Sequence, residues 1–143
     1  MSAFIIIWIV SVLHSSNFPV DLQNNFLGYL DNQVVQRIAY VKEQAEINNI
    51  NSAGLINLFI CESKFETDRV GDTDKVCNLP TSPNYGKVIK SRGVAQINNC
   101  SHPEVSNKEA FDFYWSVDWT INKLNNGKAK EWWHCSQVAG LRD

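Results

Sequence analysis

Apolar side chains recur at three- and four-residue steps through Leu22, Phe26, Leu27, Leu30, Val34, Ile38, Val41 and Ala45, the spacing that lines one face of an α-helix. The pattern predicts one amphipathic helix, or two joined near Asp31. A polar break containing Pro19 precedes it. Afterwards NNINS interrupts the period, because Asn and Ser side chains bond their own backbone and favour turns and caps. Ser52 is the expected N-cap of a second helix running from Ala53 to about Phe65. That stretch, AGLINLFICESKF, places Leu55, Leu58, Phe59 and Glu62 on overlapping faces. It is too apolar for an exposed helix and is expected to cross the core, which leaves a carboxylate, Glu62, at the end of a hydrophobic rod.

Between Glu66 and Arg92 the helical period disappears. Gly71, Pro80, Pro83 and Gly86, set among Asp, Thr and Ser residues, predict turns and short strands of a small irregular β lobe. Gly93-Val94-Ala95-Gln96-Ile97 follows as a brief apolar strand. Ser106 to Glu109 (SNKE) reads as a capping box, a last helix is expected from about Phe113 to Leu124, and Gly127 stands where a C-terminal cap would. Trp132, Trp133 and Cys135 bring the tail back to the body. The pattern describes a mainly α, α+β chain without internal repeats.

At 143 residues the chain suits one domain, which can bury roughly 68–70% of its unfolded surface. With 44% hydrophobic and 20% charged residues, it is not a disordered or collagenous sequence. Thirteen basic against fifteen acidic side chains, net charge −2, leave no surplus to neutralise phosphates, so nucleic acid is excluded as a partner. Cys61, Cys77, Cys100 and Cys135 contain no Cys-x-x-Cys knuckle. Disulfides in an oxidising compartment are therefore expected rather than zinc. Residues 3–13 (AFIIIWIVSVL) are too few to span a bilayer but match a signal-peptide core. No Lys or Arg precedes them and no A-x-A pattern follows. Residues 1–16 are read as a signal peptide or anchor, the alternatives being a buried N-terminal helix or a misplaced gene start.

Chemistry concentrates on Glu62. A carboxyl group in apolar surroundings is penalised when ionised, which raises its pKa toward neutrality. Such a group can protonate a glycosidic oxygen and later act as the base. Taken alone, a helix-end Glu is more often solvated.

Its context adds to that reading. CESKFETDRVGD followed by SRGVAQIN resembles the lysozyme-like superfamily, in particular the catalytic domains of soluble lytic transglycosylases and goose-type lysozymes. There a Glu-Ser pair ending a buried helix precedes a Gly-Leu-Met-Gln-Ile-like strand. The resemblance covers roughly Leu55 to Cys135, with a weaker likeness in the HPEVSNKEAFDFYWSVDWTINKL stretch. It implies an N-terminal helical segment over residues 17–52, a lysozyme-like catalytic domain over 53–136 and a tail over 137–143. It further implies that Glu62 is the acid/base and that Ser63 helps orient the site. Gly93 would let the backbone approach a sugar ring, while Gln96 and Asn98 would offer amides to N-acetyl and hydroxyl groups. The implied substrate is peptidoglycan, cleaved at the β-1,4 bond between N-acetylmuramic acid and N-acetylglucosamine without cofactor or metal. The implied protein is a secreted or envelope-associated monomer, reaching a membrane only through its N-terminal anchor.

The sequence departs from the family in several places. An insertion, DTDKVCNLPTSPNYGKVIK, carries Asp72 and Asp74. Either could be a second carboxylate, or the segment could be a simple Asx bend. Transglycosylases need no second carboxylate, since a muramoyl hydroxyl attacks the anomeric carbon. The stretch NNGKAKEWWHC lacks a tyrosine to brace the acid, though Tyr114 and Trp115 lie upstream. Trp115, Trp119, Trp132 and Trp133 either stack on sugars or pack in the core. A Cys61–Cys135 bridge would pin the C-terminus beneath the catalytic helix, with Cys77 and Cys100 closing the β lobe, but four cysteines permit three connectivities and the sequence selects none. His102 reads as a turn residue before Pro103. The rival readings are a catalytically silent glycan-binding or structural protein on the same fold, and a component of a secretion or conjugation apparatus tethered by its N-terminal helices.

Overall fold

A computed structural model describes residues 32–141, and the chain divides into two compact units that part between Tyr40 and Val41. The expected leader and the apolar positions from Leu22 to Leu30 lie outside the described residues. Helix α1, Asn32–Ile47, follows the predicted period. Within the second unit its Val41 and Ala45 are fully buried. The helix gives way at Asn49, which takes a left-handed φ of 54°, a conformation Asn tolerates better than most residues.

Helix α2, Ser52–Ser63, is capped one residue earlier than expected. Asn51, not Ser52, accepts a hydrogen bond from the Gly54 amide at 3.1 Å. Both residue types cap well, and the longer Asn side chain reaches back from outside the helix. Leu55, Leu58 and Phe59 are wholly buried, so the apolar rod does run through the core. It ends sharply because Lys64 and Phe65 both turn left-handed, with φ of 58° and 65°. The Lys64 amide bonds the Ile60 carbonyl at 3.0 Å and the Phe65 amide bonds the Phe59 carbonyl at 3.5 Å, a Schellman closure. The turn drives Phe65 inward onto Phe59 and Phe113, at ring separations of 6.0 and 6.2 Å. Burial of Phe65 thus fixes where the helix stops, and with it the place of Glu62.

The β lobe holds three two-residue strands in antiparallel order: β1 (Val70–Gly71), β2 (Ser91–Arg92) and β3 (Ile97–Asn98). Val70 faces Arg92, and Arg92 faces Ile97. A Val76–Val88 bridge closes the insertion upon itself. The apolar run after Arg92 is not a strand up to Gln96. Residues 93–96 form the turn between β2 and β3, with Val94 and Ala95 buried. A buried turn must satisfy its carbonyls from elsewhere, and here Trp132 Nε1 donates to the Ala95 carbonyl at 2.8 Å. Arg92, only 3% exposed, fastens this hairpin to the next segment. Its Nε donates to the Ile97 carbonyl at 3.2 Å and its Nη1 to the Val105 carbonyl and Asn107 Oδ1 at 3.0 and 2.9 Å.

Helix α3, Asn107–Phe111, opens with the predicted Ser106–Glu109 capping box. Asp112 then caps α4, Phe113–Asn125, through the Trp115 amide. Gly127 follows α4 at φ 70°, where its amide bonds the Leu124 carbonyl at 2.9 Å. A 3₁₀ turn, Ala129–Trp132, leads into α5, Trp133–Val138, which packs on α2. Cys61 is bridged to Cys135 and Cys77 to Cys100. About half of the described chain is helical, beside one small antiparallel sheet. Among the described residues no helix is long and apolar enough to cross a membrane.

Candidate active site

Glu62 occupies the last turn of α2, between Cys61, anchored to α5, and Ser63, which is buried. The carboxyl group is half-buried and makes no hydrogen bond among the described residues. Among the described residues no hydrogen bond stabilises its anion. Burial pushes its pKa up from 4.5 to about 7, and the negative charge of Asp72 adds to the rise.

Asp72 lies just past β1, at a left-handed φ of 58°. Its environment works in the opposite direction. Lys75 Nζ holds Oδ1, and the buried Ser91 hydroxyl donates to Oδ2 at 2.5 Å. These bonds hold the Asp72 carboxyl below its ordinary value. Two neighbouring carboxyl groups are thus pushed apart: one keeps its proton near neutral pH, the other stays charged. Such a division separates acid from charge stabiliser in many hydrolytic sites. Asp74 is exposed, and it is the charge of Asp72 that adds to the rise at Glu62.

The second motif approaches the first through Gln96 and Gly71. Gln96 Oε1 lies 2.6 Å from where a Cβ on Gly71 would stand, so the amide end of Gln96 packs directly against Gly71. Gln96 Nε2 donates to the Gly93 carbonyl at 2.8 Å and more weakly to the Arg69 carbonyl at 3.4 Å. The amide therefore ties the hairpin turn to the strand leading to Asp72. Asn98 is partly occupied as well: its Oδ1 accepts from the Cys100 and Ser101 amides at 2.8 and 3.2 Å.

Two of the expected site residues have partners within the fold. Ser63 is 1% exposed and its hydroxyl donates to the Phe59 carbonyl at 3.1 Å. Its hydroxyl serves the helix and makes no bond to Glu62. Gly93, at φ 69°, faces the backbone of α3, where a Cβ would lie 1.9 Å from the Ala110 carbonyl oxygen. Glycine is needed here for close packing of hairpin on helix. Gly93→Ala combines a left-handed penalty with a backbone clash, and is expected to destabilise the protein by about 3–5 kcal/mol. Urea denaturation would read this directly, and a loss under 1 kcal/mol would show that the two segments do not pack so closely.

Several residues escaped the sequence reading. Ser91, Lys75 and Arg92 stand in undistinguished contexts, and their roles depend on pairings across the lobe. His102 is more than a turn residue. Its ring stands edge-to-face with Trp119 at 4.9 Å, with Nδ1 3.3 Å from Glu104 and Nε2 3.2 Å from Glu131. Of the tryptophans, Trp132 is core, and Trp115 and Trp119 form a stacked, half-buried pair at 6.3 Å. Tyr114 is exposed and contacts Phe113.

No protein-family model, curated protein or solved structure matches this chain.

Proposed function

We propose that this protein cleaves peptidoglycan glycan strands at the N-acetylmuramoyl–N-acetylglucosamine β-1,4 bond, using Glu62 as general acid and then base on a lysozyme-like domain. The observation that carries the reading is the divided pair: Glu62 raised to about 7 by burial and Asp72 held low by Lys75 and Ser91. The Glu62 carboxyl donates its proton to the glycosidic oxygen as the carbon–oxygen bond breaks. Charge developing on the sugar ring is then countered by ionised Asp72. The Glu62 carboxylate takes the proton from whichever hydroxyl attacks the anomeric carbon. Two disulfides support a secreted or envelope-exposed setting.

The tethering of Asp72 favours one outcome over the other. With Lys75 on one oxygen and Ser91 on the other, the carboxylate suits charge stabilisation rather than nucleophilic attack or activation of water. That arrangement favours attack by the muramoyl ring's own hydroxyl, giving 1,6-anhydro ends. Mass spectrometry of muropeptides released from purified sacculi tests this, because anhydro and reducing ends differ by one water. Anhydro ends are expected; reducing ends would reassign the attack to water, and no soluble fragment would leave a silent glycan-binding protein as the better reading. Asp72→Asn should reduce the maximal rate by about tenfold, less than a positioned acid or base contributes at the upper end of ~10²–10⁴. The same variant should move the alkaline limb of the pH profile downward, since the charge that helps keep Glu62 protonated is gone.

A further inference from the structure

Apolar side chains gather on the outside of the insertion. Among the described residues, five of the eight large apolar side chains left exposed are Val70, Val76, Leu79, Tyr85 and Val88, all in or between β1 and β2. We infer that the hairpin over residues 75–89 is a docking surface for an anionic lipid bilayer. The inference goes beyond the proposed cleavage and does not depend on it.

The fold imposes this exposure. Cys77 turns inward to its bridge with Cys100 and is buried, so alternation along the extended chain turns Val76 outward. Val88 stands directly across from Val76. The pairing is held by the Cys77 amide on the Lys87 carbonyl and the Ile89 amide on the Lys75 carbonyl, both at 2.8 Å. At the tip, Ser82 is buried and Asn84 Nδ2 donates to the Asn99 carbonyl at 2.8 Å. These ties fix the inner side of the hairpin to the body and leave Leu79 and Tyr85 outside, 42% and 59% exposed. Apolar surface gathered in this way marks contact with another body.

Charge selects which body. Residues 75–90 carry Lys75, Lys87 and Lys90 and no Asp or Glu, in a chain whose net charge is −2. Lys75 is held by Asp72. Lys87 Nζ reaches a neutral partner, Asn84 Oδ1 at 3.3 Å, and Lys87 and Lys90 are both exposed on either side of Val88. Lysines set among aliphatic side chains and a tyrosine suit an anionic membrane surface. The ammonium groups meet headgroups while Leu79, Tyr85 and Val88 enter the acyl boundary. A second copy fits less well, because a two-fold contact through this hairpin sets the same lysines against one another. A soluble anionic polymer would leave the apolar side chains in water.

Flotation of the full, disulfide-bonded chain tests the inference, with vesicles of equal parts phosphatidylglycerol and phosphatidylcholine beside vesicles of phosphatidylcholine alone. The anionic vesicles should bind more tightly, and added salt should narrow the difference. Lys87→Gln with Lys90→Gln should weaken binding about 25-fold, each lysine near an anionic leaflet contributing about fivefold. Leu79→Ser with Tyr85→Ser should weaken it about tenfold, while Val138→Ser, at an exposed apolar side chain of α5, leaves it unchanged. All these positions are exposed, so the fold is retained, which circular dichroism verifies. Hydrogen exchange on the unaltered protein supplies a readout that needs no variant: the backbone amides of residues 78–85 should exchange more slowly with anionic vesicles present. Absence of binding would overturn the inference. So would unprotected hairpin amides, or equal binding by the parent and both hairpin variants, as attachment through the apolar residues 3–13 alone would give. A dimer in sedimentation that Leu79→Ser with Tyr85→Ser abolishes, without vesicle binding, would overturn it in favour of a second copy.

Discussion

Glu62→Gln should lower clearance of cell-wall suspensions by orders of magnitude while the protein becomes more stable at alkaline pH. The first half follows from chemistry. Glutamine keeps the shape of the side chain but has no carboxyl proton to give, and a positioned acid–base group contributes ~10²–10⁴ in rate. The second half follows from proton linkage. The folded-state pKa of about 7 stands above the ordinary 4.5, so folding favours the protonated form. The favourable state is complete below the unfolded value, and stability is lost as pH rises through the folded one. At ~1.36 kcal/mol per pKa unit, the ionised parent is disfavoured by about 3 kcal/mol above pH 8. Glutamine is neutral throughout and removes this penalty. Urea denaturation of both proteins at pH 4 and pH 8, beside turbidity assays, measures the two halves together. Full activity in the variant defeats the catalytic assignment. A stability difference that is the same at both pH values would show that the carboxyl is not held in an apolar niche.

Removing the Cys61–Cys135 bridge is expected to cost a large part of the protein's stability. The bond closes a loop with a sequence separation of 74, against 23 for Cys77–Cys100. Chain entropy gives about 4.5 kcal/mol for the longer loop and about 3.4 kcal/mol for the shorter. A domain of this size has a total stability of roughly 5–15 kcal/mol. Cys61→Ala with Cys135→Ala should therefore lower Tm by about 10 °C or more, and a reducing agent, which opens both bridges, should lower that of the parent further. Activity should fall with it even below Tm, because the bridge joins α5 to the residue immediately before Glu62. An unchanged Tm under reducing conditions would show that the two helices hold together by packing alone.

Much of this was legible from local pattern. Helix α2 announced itself because its apolar density exceeds what an exposed helix carries, and the Ser106–Glu109 box and Gly127 are signals complete within a few residues. Glu62 was legible because a lone carboxylate ends an otherwise apolar segment. What stayed hidden depends on distant partners. The run Gly93–Ile97 looks like a strand because Val94, Ala95 and Ile97 are apolar. It is a turn because Trp132 and Gln96 supply donors to its carbonyls, and no window around residue 93 contains Trp132. The requirement Gly93 meets, the approach of Ala110, comes from seventeen positions away. Ser63 is obscure in sequence for the opposite reason. Its partner is one helical turn behind, and a back-bonded hydroxyl looks the same in sequence as one aimed at a substrate. The choice of Asp72 over Asp74 turned on the reach of Lys75 and Ser91, which composition cannot express.

The bridge between Cys77 and Cys100 encloses an insertion whose Leu79, Tyr85 and Val88 are exposed, and Lys87 between them is an obvious target for trypsin-like enzymes. A cut there would open the polypeptide yet leave both pieces covalently joined, with Asp72 and Ser91 retained on either side of the nick. Outside a cell, where proteases are abundant, such a clipped molecule would migrate as one species until its sulfur bonds were reduced. Damage to this exposed insertion need not separate the two pieces.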